Sequence, residues 1–174
     1  MKRIELILKD PSFIDYINRN TLSDQEHRYC KHDLAHMIDV ARITYILILE
    51  QQSIGNYITT GSLSGKMAAR ETIYAAGLLH DIGKWKEYMT GEDHAAFGAR
   101  LAREMLPRLF FNDNEIDVIS QAIFEHRNIS KDMSFLGEKL HRADNLSRVC
   151  SQCTESTNCL KYQNKEIGTH LLVY

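Results

Sequence analysis

A chain of 174 residues, 44% hydrophobic and 25% charged, has the make-up of an ordinary globular protein with room for one well-packed domain. Its formal charge of -2 supplies no uniformly basic surface, which argues against bulk nucleic-acid binding. The start, Met1-Lys2-Arg3-Ile4-Glu5, lacks the apolar core of a signal peptide, and no apolar run reaches the roughly 18 residues of a membrane span, so a cytoplasmic protein without membrane contact is expected.

Two prolines and nine glycines leave long uninterrupted stretches, and apolar residues recur at helical steps, which predicts an all-α, single-domain fold. Residues 3–19 read as a short amphipathic helix, with Pro11 suited to a first turn behind Asp10 as its cap. Residues 1–27 as a whole are expected to form a helical extension packed on the core. From Lys31 to Gln52, Leu34, Ile38, Val40, Ala41, Ile43, Ile46, Leu47 and Leu49 make a helix apolar nearly all round, as a central buried element would be. Residues 53–66 are rich in turn formers and predict a surface loop. A helix over 68–79 runs into His80-Asp81-Ile82-Gly83-Lys84, where Gly83 marks a change of direction. Thr90 with Asp93 has the spacing of a capping box for a helix reaching about Leu106, and Asn112 with Glu115 repeats that signal ahead of the next helix. A last long helix is expected over 135–151, followed by a less regular cysteine-containing tail, 151–174, that folds over the domain. No repeat or linker divides residues 28–150.

Helical spacing places His36 with Val40, Ile43 and Leu47, His94 with Gly98, Leu101 and Met105, His126 with Ile119, Ala122 and Ile123, and Asp144 with Leu140 and Gly137. Each therefore faces inward, and an inward carboxylate needs a partner because isolated burial of an ion is very costly. Taken singly, each histidine also reads as a satisfied core residue. Their order carries more. Leu78-Leu79-His80-Asp81-Ile82-Gly83-Lys84 resembles the signature of the HD-domain superfamily, whose pattern also has an upstream His four residues before a Val and a downstream Asp. His36 before Val40, and Asp144 in Arg142-Ala143-Asp144, match in order. The resemblance covers roughly residues 28–150 and implies a compact HD-domain helical bundle with a metal on His36, His80, Asp81 and Asp144. With His94 and His126 added, the order resembles the dinuclear branch, in which the aspartate of the dipeptide bridges two divalent ions; imidazole and carboxylate ligands suit iron, manganese, cobalt or zinc. That branch includes hydrolases of diadenosine tetraphosphate, HD-GYP cyclic-dinucleotide phosphodiesterases and cyclic-nucleotide phosphodiesterases. The chain shows no match to the Gly-Tyr-Pro signature.

The stretch His32-Asp33-Leu34-Ala35-His36-Met37-Ile38-Asp39-Val40 is similar to the His-Asn-x-x-His-Ala-x-Asp-Val of cyclic-nucleotide phosphodiesterases, with Asp33 in place of Asn. In that family the first histidine protonates the leaving group, which implies the same for His32. A helix would put His32 one turn from His36 on the same face. The expected reaction is hydrolysis of a phosphate ester or anhydride of a nucleotide or similar small phosphorylated substrate. Two cations bridged by Asp81 would polarise phosphate oxygens and lower the pKa of a shared water from about 16 toward about 7, giving a metal-bound hydroxide. Lys84 is expected to contact the phosphate, although it reads equally as a solvated charge. Arg127 and Arg148, then Lys131 and Arg142, are further candidates. His27, His141 and His170 receive no role. Two other functions stay open on the same ligand set: a diiron oxygenase of the HD type, and a non-catalytic nucleotide-binding regulatory module.

Cys150, Cys153 and Cys159 form a Cys-x2-Cys-x5-Cys cluster, and Cys30 precedes the His36 helix. In a reducing compartment such thiols either pack as small hydrophobes or bind a metal. Cys30 lies six residues before His36 and Cys150 six after Asp144, each about 9 Å along a helix. Antiparallel helices would bring all four cysteines to one side and allow a structural zinc or iron–sulfur site; parallel helices would not.

Overall fold

Asp10 divides the N-terminal stretch into two helices. In the computed structural model, which describes residues 1–25, 30–127, 129–148, 150, 153–159 and 163, α1 (Lys2–Lys9) buries Ile4 and Ile7, and α2 (Pro11–Asp24) starts anew. Asp10 takes an extended backbone, and its Oδ1 accepts from Ser12 N at 2.9 Å and Phe13 N at 3.2 Å. Pro11, which has no N–H to lose, fills the first helical position. The single helix expected over 3–19 is thus two, because the chain must turn where Asp10 caps. Arg3 ties α1 to the core: Nε donates to Glu71 Oε2 at 2.6 Å and Nη1 to Glu115 Oε2 at 2.5 Å.

Helix α3 (Leu34–Glu50) buries Met37, Val40, Ala41, Ile43, Thr44, Leu47 and Ile48 on one broad face, packed on α5 and α9. Leu34 and Leu49 of the helix expected to be apolar nearly all round stay exposed, because no neighbour among the described residues covers that side. The expected loop over 53–66 contains a short helix, α4 (Ile54–Thr60). Its turn-forming composition is overridden by Tyr57, whose buried ring brings the hydroxyl to 2.8 Å from Thr72 Oγ1. Helix α5 (Lys66–Leu79) is buried over most of its length and lies directly on α3. Gly77 permits that approach, since a Cβ there would stand 2.6 Å from Ala41 Cβ.

After α5 come α6 (Lys84–Thr90), unforeseen in the sequence, and α7 (His94–Met105). Gly91 at φ 75° ends α6, and the cap of α7 is Asp93, accepting from Ala96 N at 2.9 Å, rather than the expected Thr90. A 3-10 turn, Leu106–Leu109, leads to α8 (Asp113–Glu125), whose Asn112–Glu115 capping box forms as expected. Helix α9 (Phe135–Leu146) ends before the expected Ser151. The main packing pairs are α3 on α5, α7 on α8, and α9 against both α3 and α8. Helix α9 runs antiparallel to α3: Ser147 at its C-terminal end meets His36, while Phe135 at its start stacks near Tyr57 beyond the end of α3. Among the described residues there is no strand, and no helix is long and apolar enough to cross a membrane. His27, His170 and most of the tail expected over 151–174 lie outside the described residues.

Candidate metal centre

Helix ends deliver the six side chains. His36 stands in the first turn of α3, His80 closes α5 and Asp81 follows it, His94 opens α7, His126 closes α8, and Asp144 lies in the last turn of α9. A turn over Asp81–Gly83 presses so closely on α7 that a Cβ on Gly83 would stand 2.7 Å from His94 O. That contact sets the dipeptide beside His94.

The two oxygens of Asp81 face different histidine pairs. Oδ2 lies 3.1 Å from His80 Nε2 and 3.6 Å from His36 Nε2, whereas Oδ1 lies 3.2 Å from His94 Nε2 and 3.6 Å from His126 Nε2. Asp144 Oδ1 joins the first pair, 3.2 Å from His36 Nε2 and 3.9 Å from His80 Nε2. His36, His80, Asp81 and Asp144 thus form one group with ligand atoms within 4.8 Å of one another, and Asp81, His94 and His126 form a second. Asp81 belongs to both.

The outer ring nitrogens explain why these atoms call for cations. His80 Nδ1 donates to Gly77 O at 2.8 Å, His126 Nδ1 to Ile123 O at 2.6 Å, and His94 Nδ1 to Glu87 Oε2. His36 Nδ1 donates to Ser147 Oγ at 3.2 Å, whose own hydrogen goes to Asp144 O at 2.8 Å. With Nδ1 engaged in this way, each Nε2 presents a lone pair inward. His94 Nε2 and His126 Nε2 then face each other at 3.3 Å, and His80 Nε2 is buried with no hydrogen-bond partner. Lone pairs and carboxylates concentrated in this way require protons or metal ions between them. The donor set of nitrogen and carboxylate oxygen, split around one aspartate, fits two divalent transition metals.

Burial alone would raise the Asp81 carboxyl, yet when protons rather than metal ions sit on these nitrogens the charge at His80 and the contacts of His126 and His36 hold it well below the ordinary range. Burial likewise opposes ionisation of Asp144, which the Arg148 guanidinium and His36 keep anionic. Arg148 Nη2 lies 2.8 Å from Asp144 Oδ1 and 3.2 Å from His36 Nε2. It therefore sits on atoms that a metal would use, rather than standing free for substrate. Lys84 is also engaged, with Nζ 2.9 Å from Glu87 Oε2, and the exposed Arg127 pairs with Glu87 Oε1 at 3.0 Å and Asp93 Oδ2 at 2.7 Å.

His32 lies in the segment before α3, not on the helix as the spacing implied; Asp33 is the N-cap, accepting from His36 N at 2.9 Å. An Asn at this position would cap the helix equally well. Asp24 holds His32 instead, accepting from its backbone N at 2.6 Å and from Nδ1 at 2.9 Å, with Tyr88 Oη donating to the same carboxylate at 3.2 Å. The His32 and His36 rings remain neighbours, with centroids 6.1 Å apart.

Asp24, Glu87 and Asn20 carried no sequence signal, because they meet the centre only through the packing of α2 and α6. Asn20 is fully buried; Nδ2 donates to Asp81 O at 2.8 Å and Oδ1 accepts from Trp85 N at 2.8 Å, clamping the turn that carries the dipeptide. His141, given no role in the sequence, donates from Nδ1 to His126 O at 2.7 Å. A cavity of about 290 Å³ opens beside the centre, with His36, Asp39, Arg148 and Cys150 in its wall.

The HD domain family model matches residues 33–149. A relative from Clostridium beijerinckii, named only as an uncharacterized protein, is 34% identical over 159 residues, 91% of this chain and 92% of that protein. A bifunctional uridylyltransferase/uridylyl-removing enzyme of Nitrobacter hamburgensis is 44% identical over 62 residues, 36% of this chain but 6% of that much longer protein. A crystal structure described as a predicted HD superfamily hydrolase, from an uncultured Thermotogales bacterium, superposes with a TM-score of 0.51 at 26% identity, covering 86% of this chain and 75% of the other.

Proposed function

This chain belongs to the HD domain family, and from that membership we propose that it is a metal-dependent phosphohydrolase acting on a nucleotide or similar small phosphorylated substrate. The observation that carries the reading is the division of Asp81, one oxygen toward His36 and His80 and the other toward His94 and His126. Divalent ions held there supply Lewis acidity toward phosphate oxygens and acidify water. The name of the uridylyl-removing relative points the same way, toward a nucleotide-linked phosphate.

The chain's own groups have separate tasks. Asp81 and Asp144, kept anionic, supply the charge that balances the cations. His32, with Nδ1 committed to Asp24, has Nε2 left to deliver a proton to the leaving oxygen, as a carboxylate-held imidazole does in general acid catalysis. Arg148 pairs with Asp144 Oδ1 and His36 Nε2, atoms that would hold a metal, so in a metal-loaded site its guanidinium would be available to a phosphate at the adjoining cavity. Lys84, paired with Glu87, positions that carboxylate as much as it offers charge to substrate.

The test is a phosphate-release panel of mononucleotides, cyclic nucleotides, dinucleoside polyphosphates and phosphorylated sugars, run with manganese, cobalt, zinc and iron. Activity under anaerobic conditions that disappears in Asp81→Ala supports the proposal; turnover that requires both iron and dioxygen identifies an oxygenase instead.

A further inference from the structure

The four cysteines lie at one end of the bundle. Cys30 precedes α3 and Cys150 follows α9, and because those helices are antiparallel the two cysteines arrive on the same side of His36 and Asp144. Cys30, Cys150 and Cys153 line the cavity beside His36. Cys153 N donates to Cys150 O at 3.2 Å. A 3-10 turn over Ser156–Asn158 follows, in which Ser156 N donates to Cys153 O at 3.2 Å and Cys159 N to Ser156 O at 3.2 Å. All four are free thiols.

From this arrangement we propose a second metal site, a tetrathiolate centre formed by Cys30, Cys150, Cys153 and Cys159 that binds zinc or an iron–sulfur cluster. Two short turns and one remote residue are the means by which small four-cysteine sites gather their ligands. Among the described residues the groups with ligand atoms within 4.8 Å of one another are the two at Asp81, so the four sulfurs do not stand at ligand spacing and a bound metal would draw them together. Its coordination energy then orders the segment, coupling metal binding to local folding. Burial raises the Cys150 thiol, and Cys30, Cys159 and Cys153 each raise it further, so the four thiols lie near enough to act on one another. Arg148, two residues before Cys150, acts on that thiol in the opposite sense.

The centre has a structural role. It fastens Cys150 and Cys153 to the start of α3 and so fixes the position of Ser147 against His36. This second role rests on the reading of the Asp81 centre as a metal site; the tetrathiolate itself does not, and the two fail separately.

The experiment compares metal content and thiol reactivity in the full chain, purified without oxygen, as wild type, Asp81→Ala, Cys30→Ser and Cys153→Ser. Asp81→Ala should keep a tightly bound metal that both cysteine variants lose. After cobalt substitution, thiolate-to-metal charge-transfer absorption should persist in Asp81→Ala and vanish in Cys153→Ser. Zinc in the metal analysis identifies a mononuclear site, and iron with acid-labile sulfide identifies a cluster; either supports the centre. Should the serine variants fail to fold, thiol titration of the native wild type decides: protection of the cysteines until a chelator is added supports the proposal. Immediate reaction of all four thiols, or metal content equal in wild type and the cysteine variants, overturns it.

Discussion

Glu87, in the middle of α6, accepts the Nδ1 hydrogen of His94, the first residue of α7. Hydrogen bonds from His94 and Lys84 hold its carboxyl far below the ordinary range against the opposing effect of burial. An anionic acceptor behind a ligand histidine fixes the ring and raises its basicity, and its loss commonly costs about 10- to 100-fold in metal affinity. Glu87→Gln should therefore weaken binding at the His94–His126 side by about that factor while sparing the His36–Asp144 side. Calorimetric metal titration reads this as one weakened class of site; two unchanged classes would show that Glu87 serves only Lys84 and Arg127.

Asn20 satisfies both Asp81 O and Trp85 N. Asn20→Ala leaves two buried backbone groups without partners, at a cost of about 1–3 kcal/mol each in this setting. The variant should unfold at lower urea and bind metal more weakly, since the displaced turn carries the Asp81 carboxylate that belongs to both ligand groups. Unchanged metal affinity in a destabilised variant would limit Asn20 to a packing role.

Asp24 orients His32 through Nδ1. If His32 protonates the leaving group, Asp24→Asn should lower turnover of a substrate with a poor leaving group by about 100-fold and leave a nitrophenyl ester, which needs no acid, nearly unaffected. Equal losses on both substrates would mean that Asp24 and His32 act on structure or metal rather than on proton transfer.

Stability should fall in acid partly through Asp10. Burial raises its carboxyl, but the Arg108 guanidinium and the backbone N–H groups of Phe13 and Ser12 bring it below the ordinary value. A group depressed on folding stabilises the fold above its unfolded pKa, about 3.9, and that contribution disappears as pH falls through the lower folded value. Asn also caps helices, so Asp10→Asn isolates the charge. The gap in urea stability between wild type and Asp10→Asn should be present at neutral pH and shrink as the pH falls below the unfolded value of about 3.9. A constant gap would assign the effect to capping geometry.

Much of the centre was legible because its residues carry two coincident signals, chemistry at fixed order and helical stripes that aim them inward. His36, His94, His126 and Asp144 needed no tertiary knowledge beyond this. The supporting groups did, since Asn20, Asp24 and Glu87 look like ordinary surface residues of amphipathic helices until α2 packs on α6. The same limit applies to α4, whose composition reads as a loop and whose helix depends on Tyr57 reaching Thr72. Arg148 was identified as a cation near the site, but its pairing with Asp144 and His36 follows from the antiparallel return of α9.

The most direct measurement is metal stoichiometry and phosphate release in wild type beside Asp81→Ala, a substitution that removes both Asp81 carboxylate oxygens at once. Both ions of the Asp81 centre and metal-dependent phosphate release should be lost together in a variant that remains folded. Phosphate release that survives Asp81→Ala would contradict the account.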